Sequence, residues 1–478
     1  MIHVPLVVDL DGTLIHTDML HESALRLFKK RPWDVVRLPV WLAAGKASLK
    51  QKLAAGVHVD PATLPYNLSL LAWLKDQRAA GRPLVLCTAS DARIAQSIAD
   101  HLGLFDQVIA SDGHINLAGP RKAQALSQRF GEGGFDYVGN SHADLAVWAV
   151  ARRAVVVNAS GSLSRLVRER FEVEAEFKAP GSGLLGLART LRVHQWLKNL
   201  LLFVPLLAAH DLTNTGAWAK LVAGLVAFCL CASSVYVLND LLDLESDRHH
   251  PRKRERPFAS GQVPLLAGVL LAPVLLVVGL LLGGQVGAGF LVCLLLYYTL
   301  TCVYSWVLKR LALVDCIALA LLYTMRIIAG SVAVGHALSF WLLAFSVFLF
   351  LSLAFVKRYA ELDIQPGKGT GKIHGRGYLA SDAPLVQTMG IMAGYASVVV
   401  LALYLNSEAV ARLYRSPVWI WGAVPVMLFW VSWMWLQANR GKMHDDPLVF
   451  AVKDRASLAA GALFVAILVI GSIGSVPW

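Results

Sequence analysis

Two periodicities divide the chain. As far as about residue 180, short β-branched runs (VPLVVDL, PLVLCTA, QVIAS, FDYVGN, AVVVNAS) alternate with helical stretches of mixed charge. That is the rhythm of a parallel α/β sheet. From about 195 the runs lengthen to near 20 apolar residues, each enough to cross a bilayer as a helix. Nine spans are expected, at roughly 196–210, 217–238, 265–283, 286–306, 311–331, 338–356, 385–405, 417–436 and 457–476, the first of them short. This predicts an α/β domain over 1–180, a linker over 181–188 and an all-α membrane domain over 189–478. The linker contains Gly181-Ser182-Gly183-Leu184-Leu185-Gly186, a literal GxGxxG. No strand is expected before it and a membrane-proximal helix is expected after it, so it reads as a connection and not as a dinucleotide site.

Composition agrees with a membrane protein. Of 478 residues, 56% are hydrophobic and 16% charged, and the mean hydropathy of +0.56 is too apolar for a soluble chain of this size. Disorder, collagen and small disulfide scaffolds are excluded. Before residue 180 there are 21 Lys and Arg against 18 Asp and Glu; after it there are 23 against 14. Basic excess within an apolar region points to loop charge and anionic ligands, not to nucleic acid. Cys87, Cys229, Cys231, Cys293, Cys302 and Cys316 form no CxxC pair, which argues against a structural zinc. The start, MIHVPLVVDLDGT, lacks the basic region of a secretory signal, so the N-terminus is expected in the cytoplasm. Even-numbered spans then emerge into loops rich in cations, from Arg248 to Arg256, at Lys309 and Arg310, from Lys357 to Arg376 and from Arg440 to Arg455. The opposite loops offer Lys220, Arg412 and Arg415. This bias predicts an integral protein of the cytoplasmic (inner) membrane, with both functional sites on the cytoplasmic side.

Asp9-Leu10-Asp11-Gly12-Thr13 follows directly on an apolar strand, at the sheet edge where α/β ligands bind. Asp9 and Asp11 leave the strand on the same side and can address one substrate. Such a pair suits covalent phosphoryl transfer, one carboxylate attacking phosphorus and the other serving as acid and then base. Thr88 at the next buried strand can bond a phosphate oxygen, Lys122 supplies positive charge, and the turn from Gly139 to Asp144 brings a carboxylate for Mg²⁺. This series resembles the haloacid dehalogenase superfamily of phosphatases over residues 1–180. The resemblance implies a Rossmann-like core, Asp9 as nucleophile, Asp11 as acid/base and Mg²⁺ as cofactor. Asn140 stands where the family pattern has an acid; its amide can still ligate Mg²⁺ or its water, but with one fewer negative charge. A non-catalytic role for the domain stays open on that account. Residues 20–65 read as a small helical cap in which Trp33 and Trp41 are core or membrane-facing residues.

Asn239-Asp240-Leu-Leu-Asp243-Leu-Glu-Ser-Asp247 stands at the end of the second expected span. Spacings of three and four put Asp240, Asp243 and Asp247 on one helix face, where they repel unless a cation joins them. Magnesium bridging to a diphosphate meets that need. A cationic loop containing Arg252, Lys253 and Arg256 follows at once. This arrangement resembles the UbiA superfamily of intramembrane prenyltransferases across 189–478. Where that family has a second DxxxD, this chain reads Lys357-Arg358-Tyr359-Ala360-Glu361, and two cations suit a directly held phosphate. In this it resembles the decaprenyl-phosphate phosphoribosyltransferase branch, as it does in Leu191 to Asn199, Tyr304-Ser305, Lys309-Arg310, Asp315 and Arg326.

That branch transfers 5-phosphoribosyl from phosphoribosyl diphosphate (PRPP) to a polyprenyl phosphate. On this reading Asp240, Asp243 and Asp247 hold Mg²⁺ and pyrophosphate, with Asn239 in support. Arg252, Lys253 and Arg256 are candidates for the sugar phosphate or pyrophosphate; Lys198, Lys357 and Arg358 for the polyprenyl phosphate or the 5-phosphate. Arg326 within an apolar span needs a partner, and a structural pair with Asp315 and a ligand role are both open. His374, Arg376 and Tyr378 lie in a Gly-rich loop that reads either as a closure over the site or as an ordinary mobile loop, and His444-Asp445-Asp446 reads as a solvated turn, with a second acidic site as the alternative. Trp419, Trp421, Trp433 and Trp435 are expected near the membrane interface. The two halves fit one pathway, the phosphatase removing the 5-phosphate to leave polyprenyl-phosphoryl ribose, with homo-oligomers permitted. The rivals are an aromatic prenyltransferase of quinone or haem biosynthesis with an unrelated phosphatase, and a transporter.

Overall fold

The computed structural model describes residues 4–113, 115–178, 184–363, 377–443 and 446–473. The chain divides into two compact units that are not colinear with the sequence. One comprises Met1–Leu191 with Tyr236–Ala272, the other Arg192–Val235 with Pro273–Trp478. The sequence motifs at Gly181 to Gly186, His374, Arg376, His444 and Asp445 lie wholly or partly outside the described residues.

In the first unit, the described residues form one sheet of β1 (Leu6–Val8), β2 (Leu84–Asp91), β3 (Gln107–Ser111), β4 (Asp136–Gly139), β5 (Ala154–Val157) and β6 (Val173–Phe177). The order is β3-β2-β1-β4-β5-β6 and every pairing is parallel. Strand alternation sorts the side chains into two cores. Leu6, Val8, Leu84 and Leu86 face one way, while Val7, Val85, Cys87 and Tyr137 face the other. The order reverses direction around β1, so the carboxyl ends of β1, β2 and β4 open a crevice. The cap grows from the loop after β1 as α1 (Met19–Lys30), a 3₁₀ turn at Pro32–Arg37, α2 (Leu38–Ala43) and α3 (Lys46–Gly56). Asp18 starts α1 by accepting the backbone N–H groups of Leu20 and His21. Leu27, Leu49 and Leu53 form the cap's own core.

The same unit includes a hairpin of helix ends. Val237, Leu241, Leu244, Phe258 and Leu265 make a small apolar cluster, against which Leu25 of α1 packs. Beside it Glu22 receives both terminal nitrogens of Arg248, at 2.7 and 3.1 Å, and all these atoms are buried. Gly261 has φ +74 and lies so close to His16 that a Cβ would strike the His16 backbone.

Among the described residues, eight helices are long and apolar enough to cross a membrane, from Thr215–Leu242 to Arg455–Ile473. The first expected span differs. Val193–Ala208 is a shorter element, 3₁₀ over Val193–Phe203 and α-helical over Val204–Ala208. Pro205 in the first turn of the α-helical part lacks an N–H, so the hydrogen-bond pattern changes there. Its 3₁₀ part packs on the Val314–Val334 helix, where Gly330 leaves no room for a Cβ above the Leu202 backbone.

Candidate functional site

The phosphoryl-transfer residues converge at the end of β1. Asp9 ends the strand, its N–H bonded to Val138 O at 3.0 Å, and its Oδ1 accepts from Lys122 Nζ at 2.7 Å. Asp11 Oδ1 accepts the Met19 N–H at 2.8 Å, and Oδ2 accepts Ser90 Oγ at 2.7 Å. Thr88 is fully buried and turned toward Asp11, its Oγ1 at 3.5 Å, with β2 running three residues beyond it. Tyr137, fully buried, links two of these groups, accepting from Lys122 Nζ and donating to Asp144 Oδ1, both at 2.9 Å. Asp144 Oδ2 takes the N–H of Asn140 and Ser141 and the Ser141 hydroxyl, so a 3₁₀ turn fixes this carboxylate. Sequence reasoning missed Tyr137, Ser90 and Lys50. Tyrosine within a strand reads as core, and Lys50 enters from the cap to bond Ala89 O at 2.6 Å.

Burial pushes the Asp9 carboxyl up to about 7; Lys122 opposes the rise, and the charges of Asp144 and Asp11 add to it. Burial likewise raises Asp11, helped by Asp18 and opposed by Ser90 and the Met19 N–H. Burial works against the Lys122 charge, yet Asp9 holds it above the usual lysine range. Asp9, Asp11, Asp18 and Asp144 set against Lys50 and Lys122 leave an excess of negative charge, which fits an added divalent cation. The cavity over these groups is about 390 Å³. Its wall includes His16, His21 and Lys50, and also Pro264 and Leu265, where an apolar helix long enough to cross a membrane begins.

The acidic helix end belongs to the same unit. Backbone bonds from Asp243 N to Asn239 O and from Asp247 N to Asp243 O, each 2.8 Å, carry the helical path past Leu242. Asp240 and Asp247 are buried and share one cation, Arg256 Nη1, at 3.0 and 2.6 Å. Burial raises the Asp247 carboxyl, and Arg256 opposes the rise. Asn239 and Asp243 are half-buried, while Arg252 and Lys253 are exposed. Among the described residues no three His, Cys, Asp or Glu side chains already form a metal cage. The expected ligands instead close on side-chain cations, since like charges take the nearest counter-charge. Two carboxylates around one guanidinium nevertheless form a donor set that suits Mg²⁺ completed by phosphate oxygens.

The second unit holds two buried ionic clusters. Asp446 is buried, which corrects the expectation of a solvated turn: it accepts from Lys198 Nζ at 2.7 Å, Lys357 Nζ at 3.4 Å and Tyr323 OH at 3.1 Å. Burial works against its charge, but Lys198 and Lys357 hold the carboxyl well below the usual range. The structure thus brings together Lys198 and Lys357, and separates Arg358 from them. Arg358 is fully buried and paired with Asp315 at 2.5 Å and with Glu361, while Tyr378 donates to Asp315 at 2.6 Å. Expected as an open phosphate ligand, Arg358 is a closed ion pair. Asp315 is therefore not the partner of Arg326. Eleven residues along one helix put them about 16 Å apart, and Arg326 bonds Asn199 and Tyr297 instead. Trp435 is also internal, bonded to Ser352, whereas Trp419 and Trp421 are exposed and Trp433 bonds Asp454. An apolar cavity of about 520 Å³ lies between Val193–Leu200, the Leu225–Leu230 part of the Thr215–Leu242 helix and Val449–Lys453.

Residues 200–468 match the UbiA prenyltransferase family. The chain belongs to that family. Residues 6–148 match the haloacid dehalogenase-like hydrolases, so a hydrolase-type domain precedes the UbiA domain, and the chain is an integral membrane protein. It is similar to the uncharacterized protein y4nM of Sinorhizobium fredii, 39% identical over 98% of this chain and 90% of that one. It is also similar to the nodulation protein NoeC of Azorhizobium caulinodans, 39% identical over 56% of this chain and 87% of that one. A decaprenyl-phosphate phosphoribosyltransferase of Mycolicibacterium smegmatis is 37% identical over 40% of this chain and 61% of its own length. Within the UbiA domain of this family member, Asp240, Asp243 and Asp247 lie at the acidic helix end, and Lys357 and Arg358 lie in the Phe340–Asp363 helix.

Proposed function

We propose that this chain transfers 5-phosphoribosyl from PRPP to a polyprenyl phosphate and then removes the 5-phosphate, leaving polyprenyl-phosphoryl ribose. The observation that carries the reading is the wall of the phosphoryl cavity. Pro264 and Leu265, at the start of an apolar helix, line the same 390 Å³ space as Asp9 and Asp11. A phosphatase so placed is suited to a phosphate presented on a lipid. The M. smegmatis relative's name supports the sugar and the lipid class. Lys198 and Lys357, gathered around Asp446, offer ammonium groups for a phosphate in place of a second metal site.

In the transfer, the lipid phosphate oxygen bonds the anomeric carbon as the bond to pyrophosphate breaks. The nucleophile is already anionic, so no strong base is required. Lys198 and Lys357 would orient the lipid phosphate, and Arg358 would brace Lys357 through its ion pair with Asp315. Asp240, Asp243 and Asp247, with Asn239, would hold Mg²⁺, and Arg252, Lys253 and Arg256 would meet the departing pyrophosphate or the sugar phosphate. Magnesium would neutralise charge on the leaving pyrophosphate and, in the other site with Asp9, Asp11, Asn140 and Asp144, on the phosphoryl group. There the Asp9 oxygen attacks phosphorus, the bond to the sugar oxygen breaks, and Asp11 protonates that oxygen. Asp11 then takes a proton from the water that frees Asp9 and phosphate, with Thr88 and Lys122 holding the phosphoryl oxygens. The 520 Å³ apolar cavity suits an isoprenoid chain. Both sites would face the cytoplasm, where PRPP is available.

Purified protein with Mg²⁺, labelled PRPP and a series of polyprenyl phosphates tests this by mass spectrometry of the lipid. Wild type should yield the dephosphorylated lipid and Asp9→Asn the 5-phosphorylated one, while Asp243→Asn should lose transfer by several orders of magnitude. Prenylation of an aromatic acceptor without use of PRPP would overturn the transfer. Identical lipid from wild type and Asp9→Asn across a range of Mg²⁺ would overturn the phosphatase step.

A further inference from the structure

The cap presents an apolar surface that its own fold leaves uncovered. In α2, Leu38 and Trp41 turn inward onto the cap core of Leu27, Leu49 and Leu53. Val40 and Leu42 turn outward, 68% and 51% exposed, and the preceding 3₁₀ turn adds Trp33 at 87% and Val36 at 75%. A helix apolar on both sides needs a second apolar environment beyond the core it packs on. The surrounding charges narrow what that environment is. Between residues 29 and 46 stand five cations, Lys29, Lys30, Arg31, Arg37 and Lys46, all exposed, against one acid. That acid, Asp34, is engaged with Arg37 at 3.2 Å and Arg31 at 4.0 Å.

The strand of chain leading to this edge is already anchored among helix ends of the membrane domain. Leu25 packs on the cluster of Val237, Leu241 and Leu265, and Glu22 is closed on Arg248 within the same compact unit. Pro32 follows Leu25 by seven residues, and α1 as a whole is only about 18 Å long.

We propose that this edge of the cap, Pro32–Ala44, inserts into the headgroup layer of an anionic lipid bilayer. Tryptophan and aliphatic side chains enter the acyl boundary, and the lysines and arginines around them meet lipid phosphates. A protein partner for this surface would have to match an apolar centre with an acidic rim, which an anionic bilayer supplies along its whole face. The proposal does not depend on the phosphatase reading, since it concerns how the cap is held and not what it cleaves.

The test uses the full chain in lipid nanodiscs. Val36→Cys and Val40→Cys are labelled with an environment-sensitive fluorophore, and Gln128→Cys, exposed on the Pro120–Phe130 helix, serves as the control. The six native cysteines are buried or half-buried, and labelled wild type gives their background. With phosphatidylglycerol present, doxyl-lipid quenching at positions 36 and 40 should exceed that at 128 by at least about threefold, and should fall when phosphatidylcholine replaces it. Lys29→Glu with Lys30→Glu should reduce it further. Equal quenching at all three positions, quenching indifferent to lipid charge, or shielding that instead follows protein concentration would each overturn the proposal, the last in favour of a second copy.

Discussion

Tyr137 sits between Lys122 and Asp144, accepting from the ammonium and donating to the carboxylate, with no exposure of its own. Tyr137→Phe keeps the ring's packing and leaves two buried charged groups each short of a partner. That should cost about 1–3 kcal/mol of stability, read as a lower unfolding temperature of the detergent-solubilised chain. It should also slow hydrolysis of a model phosphomonoester more than it weakens substrate binding, because Lys122 loses one of its two fixed contacts; unaltered turnover would remove Tyr137 from the site. Asp9, Asp11, Thr88 and Lys122 were legible in the sequence because each stands at or near a strand or helix end with a chemistry that a core position would not choose. Tyr137 was hidden because strand position explains it without reference to any site. Asp446 was hidden for the opposite reason. An acid in a short polar run such as His444-Asp445-Asp446 looks solvated until Lys198, 248 residues away, is folded onto it.

Helices of the membrane domain were readable from run length alone, and their partners were not. Apolar composition says that a helix such as Val314–Val334 is in lipid or protein, and does not say which polar residue of another helix meets Asp315. The structure pairs it with Arg358 of the Phe340–Asp363 helix, so one buried ion pair pins two helices together. Removing a single partner, as in Asp315→Leu, should destabilise by about 3–5 kcal/mol, because the remaining charge is left buried. Asp315→Leu combined with Arg358→Met should recover most of that loss. Thermal unfolding of the four proteins in one detergent measures the cycle, and a double variant as weak as the sum of the singles would show that the pair is not a unit. The expected first span is present at the same scale as a shorter apolar element. Hydropathy registers Val193–Ala208 as apolar but does not register the 3₁₀ winding that turns Lys198 and Asn199 inward.

At the scale of the molecule, the sequence announced two halves at residue 180, and the compact units cross that line. Tyr236–Ala272 packs with the α/β domain, an exchange that no local pattern encodes because it depends on contacts more than 200 residues apart, such as Glu22 with Arg248. Glu22→Gln should leave Arg248 buried without a counter-charge at a cost of about 3–5 kcal/mol. Hydrogen exchange should then quicken in both Met19–Lys30 and Leu244–His249; an increase in one element alone would mean that the pair does not join them. The wall formed by Pro264 and Leu265 carries a practical consequence. A fragment ending near residue 180 would lack one wall of the cavity over Asp9 and Asp11 and would expose Leu25 and Glu22 to water, so a soluble hydrolase-type fragment cut from this gene should be a poor proxy for the full chain. Splitting the gene into two separately expressed products would face the same obstacle, and a productive break would have to keep the helix-end hairpin Tyr236–Ala272 with the domain whose cavity it completes.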